Sequence, residues 1–112
     1  MRDGEGATKF VTVQVNGGRT EQECLDVAFT IAHSPLVKTA FFGEDANWGR
    51  IFAAAGRAGV DFDPNRVDLF FNDVQMVKDG RGCGLQAEKK ATRVLRLPEF
   101  SVIVALNQGD GT

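Results

Sequence analysis

The run of apolar residues from Phe100 to Leu106 limits the possible folds more than any other feature of the sequence. Only Ser101 interrupts it, so nearly every side chain of the run has to be kept away from water. A strand of this kind is expected to be central in a sheet or buried on both faces. The chain has 112 residues and a hydrophobic fraction of 43%, which is enough for one domain with a core around such a strand.

Other segments also have the patterns of β-strands. Alternating β-branched residues predict a strand over residues 9–15. A short apolar run over residues 37–42 is interpreted as a second strand. Residues 67–71 and 74–76 alternate on either side of an Asn-Asp turn, which indicates a β-hairpin.

Apolar residues at helical spacing predict three helices. The first follows the capping-box sequence of residues 20–23 and should end near His33, because Ser34 precedes a proline. The second begins at about Asn47, with Gly59 as a plausible stop. The third covers residues 86–95, with its charged residues mostly outward.

Together these patterns give the element order β-α-β-α-β-β-α-β along residues 1–112. The sequence therefore predicts a single two-layer α+β domain, in which about three helices pack over one mixed sheet. A parallel, doubly wound sheet is less favoured, because the hairpin interrupts the alternation of strands and helices.

The charge pattern excludes several classes of partner. The net charge is −2 with both signs interspersed, so no block of Lys and Arg indicates nucleic acid or an anionic membrane.

No apolar stretch approaches the ~20 residues that span a bilayer, and residues 1–20 lack the pattern of a secretory signal. The default location is the cytoplasm, where Cys24 and Cys83 are expected to be buried thiols rather than a disulfide.

The segment from Asp3 to Lys9 carries the most suggestive chemistry. Gly4 and Gly6 flank Glu5, and glycines let a backbone and a ligand approach closely. The Glu5 carboxylate could accept hydrogen bonds from the ammonium group of a substrate. The alternative is a plain polar loop, which composition alone favours.

Several other residues are better explained by structural roles. Three glycines follow the hairpin: Gly80, Gly82 and Gly84. They lack a phosphate-loop pattern and a position between a strand and a following helix, so a plain connector is favoured over a nucleotide site. His33, the single histidine, should cap a helix end, and one histidine without a cysteine or acidic cluster makes no metal site. Ser34 and Ser101 are poorly placed for a nucleophile, which needs a base and an oxyanion hole.

A group of aromatic residues flanks two acids in the middle of the chain: Phe41, Phe42, Trp48, Glu44 and Asp45. Aromatic rings beside acids can form a pocket for a cation. The edge of a hydrophobic core is the more common meaning of such a group.

Three segments carry a resemblance to a known family: DGEGATKFVTVQVNG (3–17), AHSPLVKTAFFGEDANWGRI (32–51) and VIVALNQGDGT (102–112). They resemble the carboxy-terminal part of the β-chain of ornithine acetyltransferase, also called glutamate N-acetyltransferase, a bifunctional protein of arginine biosynthesis. The resemblance extends over essentially the whole chain, in order and with natural spacing.

The resemblance implies an acetyltransferase with a threonine nucleophile. A precursor cleaves itself just before that threonine, which takes an acetyl group from N-acetylornithine and passes it to glutamate. Some members also use acetyl-CoA, and no metal or bound organic cofactor is involved. The α- and β-chains form a cytoplasmic heterotetramer, so the implied partners are an α-chain and a second αβ unit.

Carried over residue by residue, the resemblance assigns one substrate-binding residue, Glu5, whose carboxylate would hold the amino group of ornithine or of the acceptor glutamate. The nucleophile would lie before Met1, the oxyanion-hole residues in the α-chain, and the terminal substrate-binding Asn and Ser/Thr after Thr112. Thr8 does not match the cleaved threonine. Residues 1–112 are therefore expected to be a fragment truncated at both ends and inactive alone. The alternative is a free-standing module that binds an amino acid or has a regulatory role.

Overall fold

The computed structural model describes residues 10–109. Within that range it contains four α-helices and a five-stranded mixed sheet, which confirms the α+β class. The strands are β1 (Phe10–Asn16), β2 (Asp68–Phe71), β3 (Val74–Lys78), β4 (Arg81–Gly82) and β5 (Glu99–Ala105). The helices are α1 (Glu21–Ala32), α2 (Pro35–Phe42), α3 (Trp48–Gly56) and α4 (Leu85–Leu95), and a 3₁₀ turn covers Pro64–Arg66. None of these helices within residues 10–109 has the length and apolar character that crossing a membrane requires.

Strand β5 lies inside the sheet, as its apolar sequence predicts. The strand order is β1-β5-β2-β3-β4, in which β5 runs parallel to β1 and antiparallel to β2. Its burial is one-sided: every second residue, from Phe100 to Val104, is buried, and the residues between them are partly exposed. The strand is therefore central, but burial on both faces is not found within the described part of the chain.

The helices and one face of the sheet share a hydrophobic core. Val27 and Ile31 of α1 belong to the same buried cluster as Val102 of β5. Phe41 of α2 meets Phe100 edge-on, with 5.6 Å between ring centroids. Packing of this kind fixes the helices over the sheet.

The other face of the sheet lies outside this core. Register pairing places Gln14, Ile103, Phe70 and Gln75 side by side across four strands, from β1 to β3. Ile103 and Phe70 are only partly buried, and neither packs against the core cluster. We call this surface, with Ala105 beside Ile103 on β5, the open face.

The strand predicted over residues 37–42 is wrong, because this segment is most of helix α2. The Ser34 hydroxyl accepts a hydrogen bond from the backbone N–H of Val37 at 3.3 Å, and Pro35 occupies the first turn, where its missing N–H costs nothing. Val37, Ala40 and Phe41 are then buried at helical spacing. With the two-residue strand β4 added, the element order is β-α-α-α-β-β-β-α-β rather than the predicted one.

The remaining elements follow the predictions closely. The Thr20 hydroxyl accepts from the N–H of Glu23 at 3.1 Å, and the Glu23 carboxylate accepts from Arg19 rather than from the cap residue itself. Helix α1 ends at Ala32, next to His33. The hairpin and α4 form where expected, while α3 ends at Gly56, before the predicted stop.

The end of β1 and the segment after β5 are held together by their backbones. The N–H of Leu106 donates to the carbonyl of Asn16 at 2.9 Å, and the N–H of Gln108 donates to the carbonyl of Gly17 at 2.7 Å. Gly17 has φ +75°, and a Cβ at this position would lie 2.7 Å from the backbone nitrogen of Asn107. Only glycine permits both this conformation and this approach.

Gly17→Ala should therefore destabilise the protein more than Gly59→Ala. Gly59 has φ +78°, but a Cβ added to it would meet no atom within 4 Å beyond its chain neighbours. Its substitution thus costs only the conformational strain of about 1–2 kcal/mol. Gly17→Ala adds a collision with backbone that cannot rotate away. Urea unfolding of both variants measures the difference, and equal losses would contradict this account of the β1–β5 junction.

Candidate functional site

The candidate site is built around the end of the sheet at which β1 and β5 begin. Glu5 and the rest of the segment from Asp3 to Lys9 lie outside the described residues, and Phe10 is the first residue that follows them. The N–H of Phe10 donates to the carbonyl of Pro98 at 2.7 Å, and Phe10 pairs in register with Glu99. We call this end, where both parallel strands begin, the entry end.

The turn between α2 and α3 lies at the entry end. The Glu44 carboxylate is 3.5 Å from the Nε of Arg96, which follows α4 directly and precedes β5. The N–H of Asp45 donates to the carbonyl of Ala40 at 2.8 Å, and that of Glu44 donates to Phe41 at 3.2 Å. This is the Schellman arrangement, with Glu44 at φ +57° in the left-handed position that glycine usually fills.

The entry end carries charges of both signs. Glu44 and Glu99 bring carboxylates to it, Asp45 follows Glu44 directly, and Arg96 pairs with Glu44. Arg93 lies in the last turn of α4, shortly before Arg96. Asp45 and Glu99 are exposed, so both can reach a solute.

The aromatic residues around this turn do not form a cation pocket. Phe41 is buried in the core and Phe42 is 41% exposed. Trp48 packs instead against Phe52, with centroids 5.4 Å apart, and against Gly82, where a Cβ would lie 3.1 Å from the indole nitrogen. The interpretation as a core edge is the one that the structure supports.

The single histidine has the structural role predicted for it. His33 is the C-cap residue of α1, and its Nδ1 is 2.9 Å from the carbonyl oxygen of Phe29. Because a carbonyl oxygen only accepts, Nδ1 carries a proton. The imidazole also stacks on the Phe29 ring at 4.0 Å, so His33 belongs to the outer side of α1.

The two serines are engaged in structure as well. Ser34 is buried at the start of α2, where its hydroxyl caps the helix and also accepts from Arg57 at 3.4 Å. Asn72 forms two hydrogen bonds with the backbone of Ser101. Its side-chain oxygen accepts from the Ser101 N–H at 2.8 Å, and its own N–H donates to the Ser101 carbonyl at 2.8 Å. The Ser34 hydroxyl is therefore committed to the start of α2, and the Ser101 backbone to its strand.

A second concave region surrounds Cys83, between β3, β4 and the first turn of α4. Two neighbouring cavities of about 450 and 590 Å³ share this residue. Their polar lining comes from Asn65, Asp73, Gln75, Lys78, Asp79, Arg81, Gln86 and Lys90. Both signs of charge are present, so the region favours neither a simple cation nor a simple anion.

Two expectations about this region are wrong. Cys83 is exposed, not buried, because its backbone N–H is held by the carbonyl of Met76 while the side chain lies on the surface of a connector. Gly84 does lie between a strand and a following helix, since it separates β4 from α4, whereas Gly80 lies in the turn before β4 and Gly82 is a residue of β4. The connector role is confirmed for Gly80 and Gly84, which have positive φ, while Gly82 is a strand residue that lies against Trp48.

Cys24 is buried, as predicted, and its sulfur accepts from the N–H of Gly18 at 3.3 Å. Neither Cys24 nor Cys83 forms a disulfide bond. Among residues 10–109, no three His, Cys, Asp or Glu side chains are grouped so that they could hold a metal ion.

The model of the ArgJ family matches residues 1–112, and the chain belongs to that family. The curated Arginine biosynthesis bifunctional protein ArgJ of Geobacter sulfurreducens is 56% identical over 111 residues, which are 99% of this chain and 28% of that protein. The protein of the same name from Desulfotalea psychrophila is 56% identical over 109 residues, covering 97% of this chain and 28% of that protein. The chain therefore spans little more than a quarter of these relatives.

A solved structure agrees with the sequence comparison. The crystal structure of Arginine biosynthesis bifunctional protein ArgJ from Bacillus halodurans at 2.00 Å resolution matches with a TM-score of 0.90 and 39% identity. The match covers 97% of this chain and 51% of that chain. The family resemblance found in the sequence is thus confirmed.

Sequence reasoning missed helix α2 and the pairing of Glu44 with Arg96. The signal for α2 was present, because Ser followed by Pro is a frequent helix start. The same two residues also mark the end of α1, and the sequence analysis used them only for that purpose. No local signal joins Glu44 to Arg96, which are brought together by the packing of two separate connections.

The two thiols should differ sharply in reactivity. Cys83 is exposed and Cys24 is 4% exposed, so iodoacetamide should label Cys83 in the native protein and Cys24 only after unfolding. Mass spectrometry of the digested protein measures both sites. Native labelling of Cys24 at the rate of Cys83 would contradict the packing of α1.

Proposed function

We propose that this chain is one part of an enzyme that transfers an acetyl group from N-acetylornithine to glutamate in arginine biosynthesis. The observation that carries the proposal is the match along nearly the whole chain to bifunctional proteins of arginine biosynthesis, at up to 56% identity. In the proposed reaction the acetyl group passes through a threonine ester, and acetyl-CoA is a further possible donor. No metal or organic cofactor is required.

The threonine nucleophile is supplied by a part of the enzyme other than residues 10–109. Most of the hydroxyl groups in that range are committed to helix backbone: those of Thr20, Thr30, Ser34, Thr39 and Thr92. A nucleophile must instead be free to approach a carbonyl carbon and lie beside a base. On this proposal the present chain contributes a scaffold and a substrate contact.

Glu5 is the proposed substrate contact. Its carboxylate holds the amino group of ornithine or of the acceptor glutamate through a charge-assisted hydrogen bond. The exposed carboxylate of Glu99 supports this role, because Glu99 pairs in register with Phe10 at the start of the strand that Glu5 precedes. Its negative charge favours a cationic substrate group nearby.

The open face is the proposed contact with the rest of the enzyme. Ile103 and Phe70 are partly buried without belonging to the core, and they pair across β5 and β2 between polar neighbours. An apolar centre with a polar rim is typical of a surface that packs against a partner. We assign this surface to the α-chain and the other missing segments, within a cytoplasmic heterotetramer of two αβ units.

The isolated chain should show no acetyl transfer from N-acetylornithine to glutamate above background. Co-expression with the missing segments of a family member should restore it, and Ile103→Lys should prevent that recovery by placing a charge in the open face. Transfer is measured by the formation of N-acetylglutamate, and assembly by co-purification. Turnover by the chain alone would contradict the proposal.

A matched control separates loss of assembly from loss of folding. Leu85 is 73% exposed at the start of α4 and is not part of the open face, so Leu85→Lys should leave both assembly and activity intact. Circular dichroism should give both Lys variants the wild-type spectrum. If Leu85→Lys fails as Ile103→Lys does, the open face is not the contact.

In the complete enzyme, Glu5→Gln should reduce kcat/KM strongly while leaving the fold intact. Loss of one partner of a buried charge pair of this kind costs about 2–5 kcal/mol of binding free energy. Glu88→Gln, on the exposed side of α4, removes the same charge elsewhere and should keep wild-type kinetics. Wild-type kinetics for Glu5→Gln would remove Glu5 from the site.

The alternative is a free-standing module that binds an amino acid or regulates another protein. The cavities beside Cys83 favour it, because Lys78 and Asp79 could meet the carboxylate and ammonium groups of one amino acid. Calorimetry with ornithine and with glutamate tests it on the isolated chain. Micromolar binding would support the module, whereas no binding together with self-association would favour the fragment.

A further inference from the structure

The position of Glu44 is not explained by the stability of the fold. It follows the C-cap residue of α2 at φ +57°, a left-handed conformation that is costly for a residue other than glycine. The carboxy-terminal end of a helix also carries partial negative charge, which disfavours an acid there. Its partner Arg96 ends α4, where a cation is favourable. A residue that keeps two unfavourable features is a candidate for a functional role.

The ion pair of Glu44 with Arg96 is open to solvent and loosely held. The side chain of Arg96 is 66% exposed and that of Glu44 is 41% exposed. Nε of Arg96 lies 3.5 Å from Oε2 of Glu44, whereas a charge-assisted hydrogen bond is about 2.7–2.9 Å long. Because such an exposed pair contributes little to stability, an incoming charged group can replace either partner at small cost.

The pair lies where the segment that contains Glu5 joins the sheet. Arg96 precedes Pro98 by two residues, and the Pro98 carbonyl accepts from the N–H of Phe10 at 2.7 Å. Phe10 is the first described residue after that segment. Both signs of charge are thus available beside the strand that follows the proposed substrate contact.

The proposed reaction brings both signs of charge to one position. The side chain of N-acetylornithine ends in an ammonium group, and that of glutamate ends in a carboxylate. The ammonium nitrogen and the carboxylate oxygens are the same number of bonds from Cα, and the two substrates use the same threonine in turn. A lone carboxylate at that position would repel glutamate, and a lone guanidinium group would repel N-acetylornithine.

From these observations we infer that the pair of Glu44 and Arg96 binds the side-chain ends of both substrates in turn. Glu44 accepts a hydrogen bond from the ammonium group of N-acetylornithine, and Arg96 turns to solvent. Arg96 then donates from its terminal nitrogens to the carboxylate of glutamate, and Glu44 is released. The inference rests on the proposed function, which supplies the two substrates, and it adds the residues that recognise their side-chain charges.

Other acids at or near the entry end lack this property. Asp45 and Glu99 are exposed, but within residues 10–109 no ion pair joins either of them to a cation. Each of them can attract an ammonium group, but neither brings a guanidinium group for a carboxylate. Glu5 is proposed to hold an amino group, which ornithine and glutamate both possess, so it does not distinguish their side chains.

Steady-state kinetics test the inference on the enzyme reassembled by co-expression with the missing segments of a family member. When an enzyme passes a group through a covalent intermediate, kcat/KM for each substrate reports only the half-reaction that this substrate enters. Glu44→Gln should lower kcat/KM for N-acetylornithine roughly fivefold, the effect of one partly exposed charge contact. It should leave kcat/KM for glutamate unchanged or raised, and Arg96→Gln should have the reverse effects.

Control variants separate recognition of charge from a structural role. Glu88→Gln and Lys89→Gln remove the same charges from exposed positions of α4 and should keep both kcat/KM values. Glu44→Gly removes the left-handed strain, so its midpoint of urea unfolding should not fall. Its kcat/KM for N-acetylornithine should nevertheless fall as in Glu44→Gln, which a purely structural role does not predict.

Equal losses for both substrates in either Gln variant would overturn the inference, and so would wild-type kinetics in either of them. These outcomes leave the proposed function standing, because the wild-type assembly still forms N-acetylglutamate. Absence of transfer by the wild-type assembly would instead contradict the proposed function and the inference together.

Discussion

The parallel pairing of β1 with β5 is the contact on which the rest of the structure depends. It joins residues 10–16 to residues 99–105 in register, and almost the whole of the described chain lies within the loop that it closes. Closure entropy grows by only about 0.6 kcal/mol for each doubling of loop length, so this separation is not prohibitive. The pairing gives β5 its second neighbour and provides the strand that α1 covers.

The same register separates the side chains of the two strands into two different surfaces. Val13 pairs with Val102 on the side of the helices, and Gln14 pairs with Ile103 on the open face. The helix side is a continuous core, whereas the open face mixes apolar and amide side chains. A one-residue slip would exchange the two sets, so the buried Val102 also specifies where Ile103 is presented. The position of the open face is therefore fixed by packing on the opposite side of the sheet.

Long periodic or strongly apolar segments could be predicted from the sequence, and short or non-local features could not. β5 and α4 have clear patterns, and the structure confirms both. The run over residues 37–42 is too short to distinguish a strand from a buried helix, and only the Ser34 cap decides between them. Contacts such as Trp48 on Gly82 join distant parts of the chain, and no local pattern encodes them. At the candidate site, the role of Glu5 came from family resemblance, while the pairing of Glu44 with Arg96 required the fold.

Glu44 illustrates how the entry end differs from a surface built only for stability. Its left-handed backbone costs about 1–2 kcal/mol in a residue other than glycine, although Gly43 stands directly beside it in the sequence. Its ion pair with Arg96 joins exposed groups, and such pairs contribute at most about 1 kcal/mol. The ion pair therefore offsets the backbone cost at best in part, so stability alone gives little reason for a glutamate at this position. What the arrangement does supply is a carboxylate paired with Arg96 at the end of the sheet where β1 begins, and β1 directly follows the segment that contains Glu5.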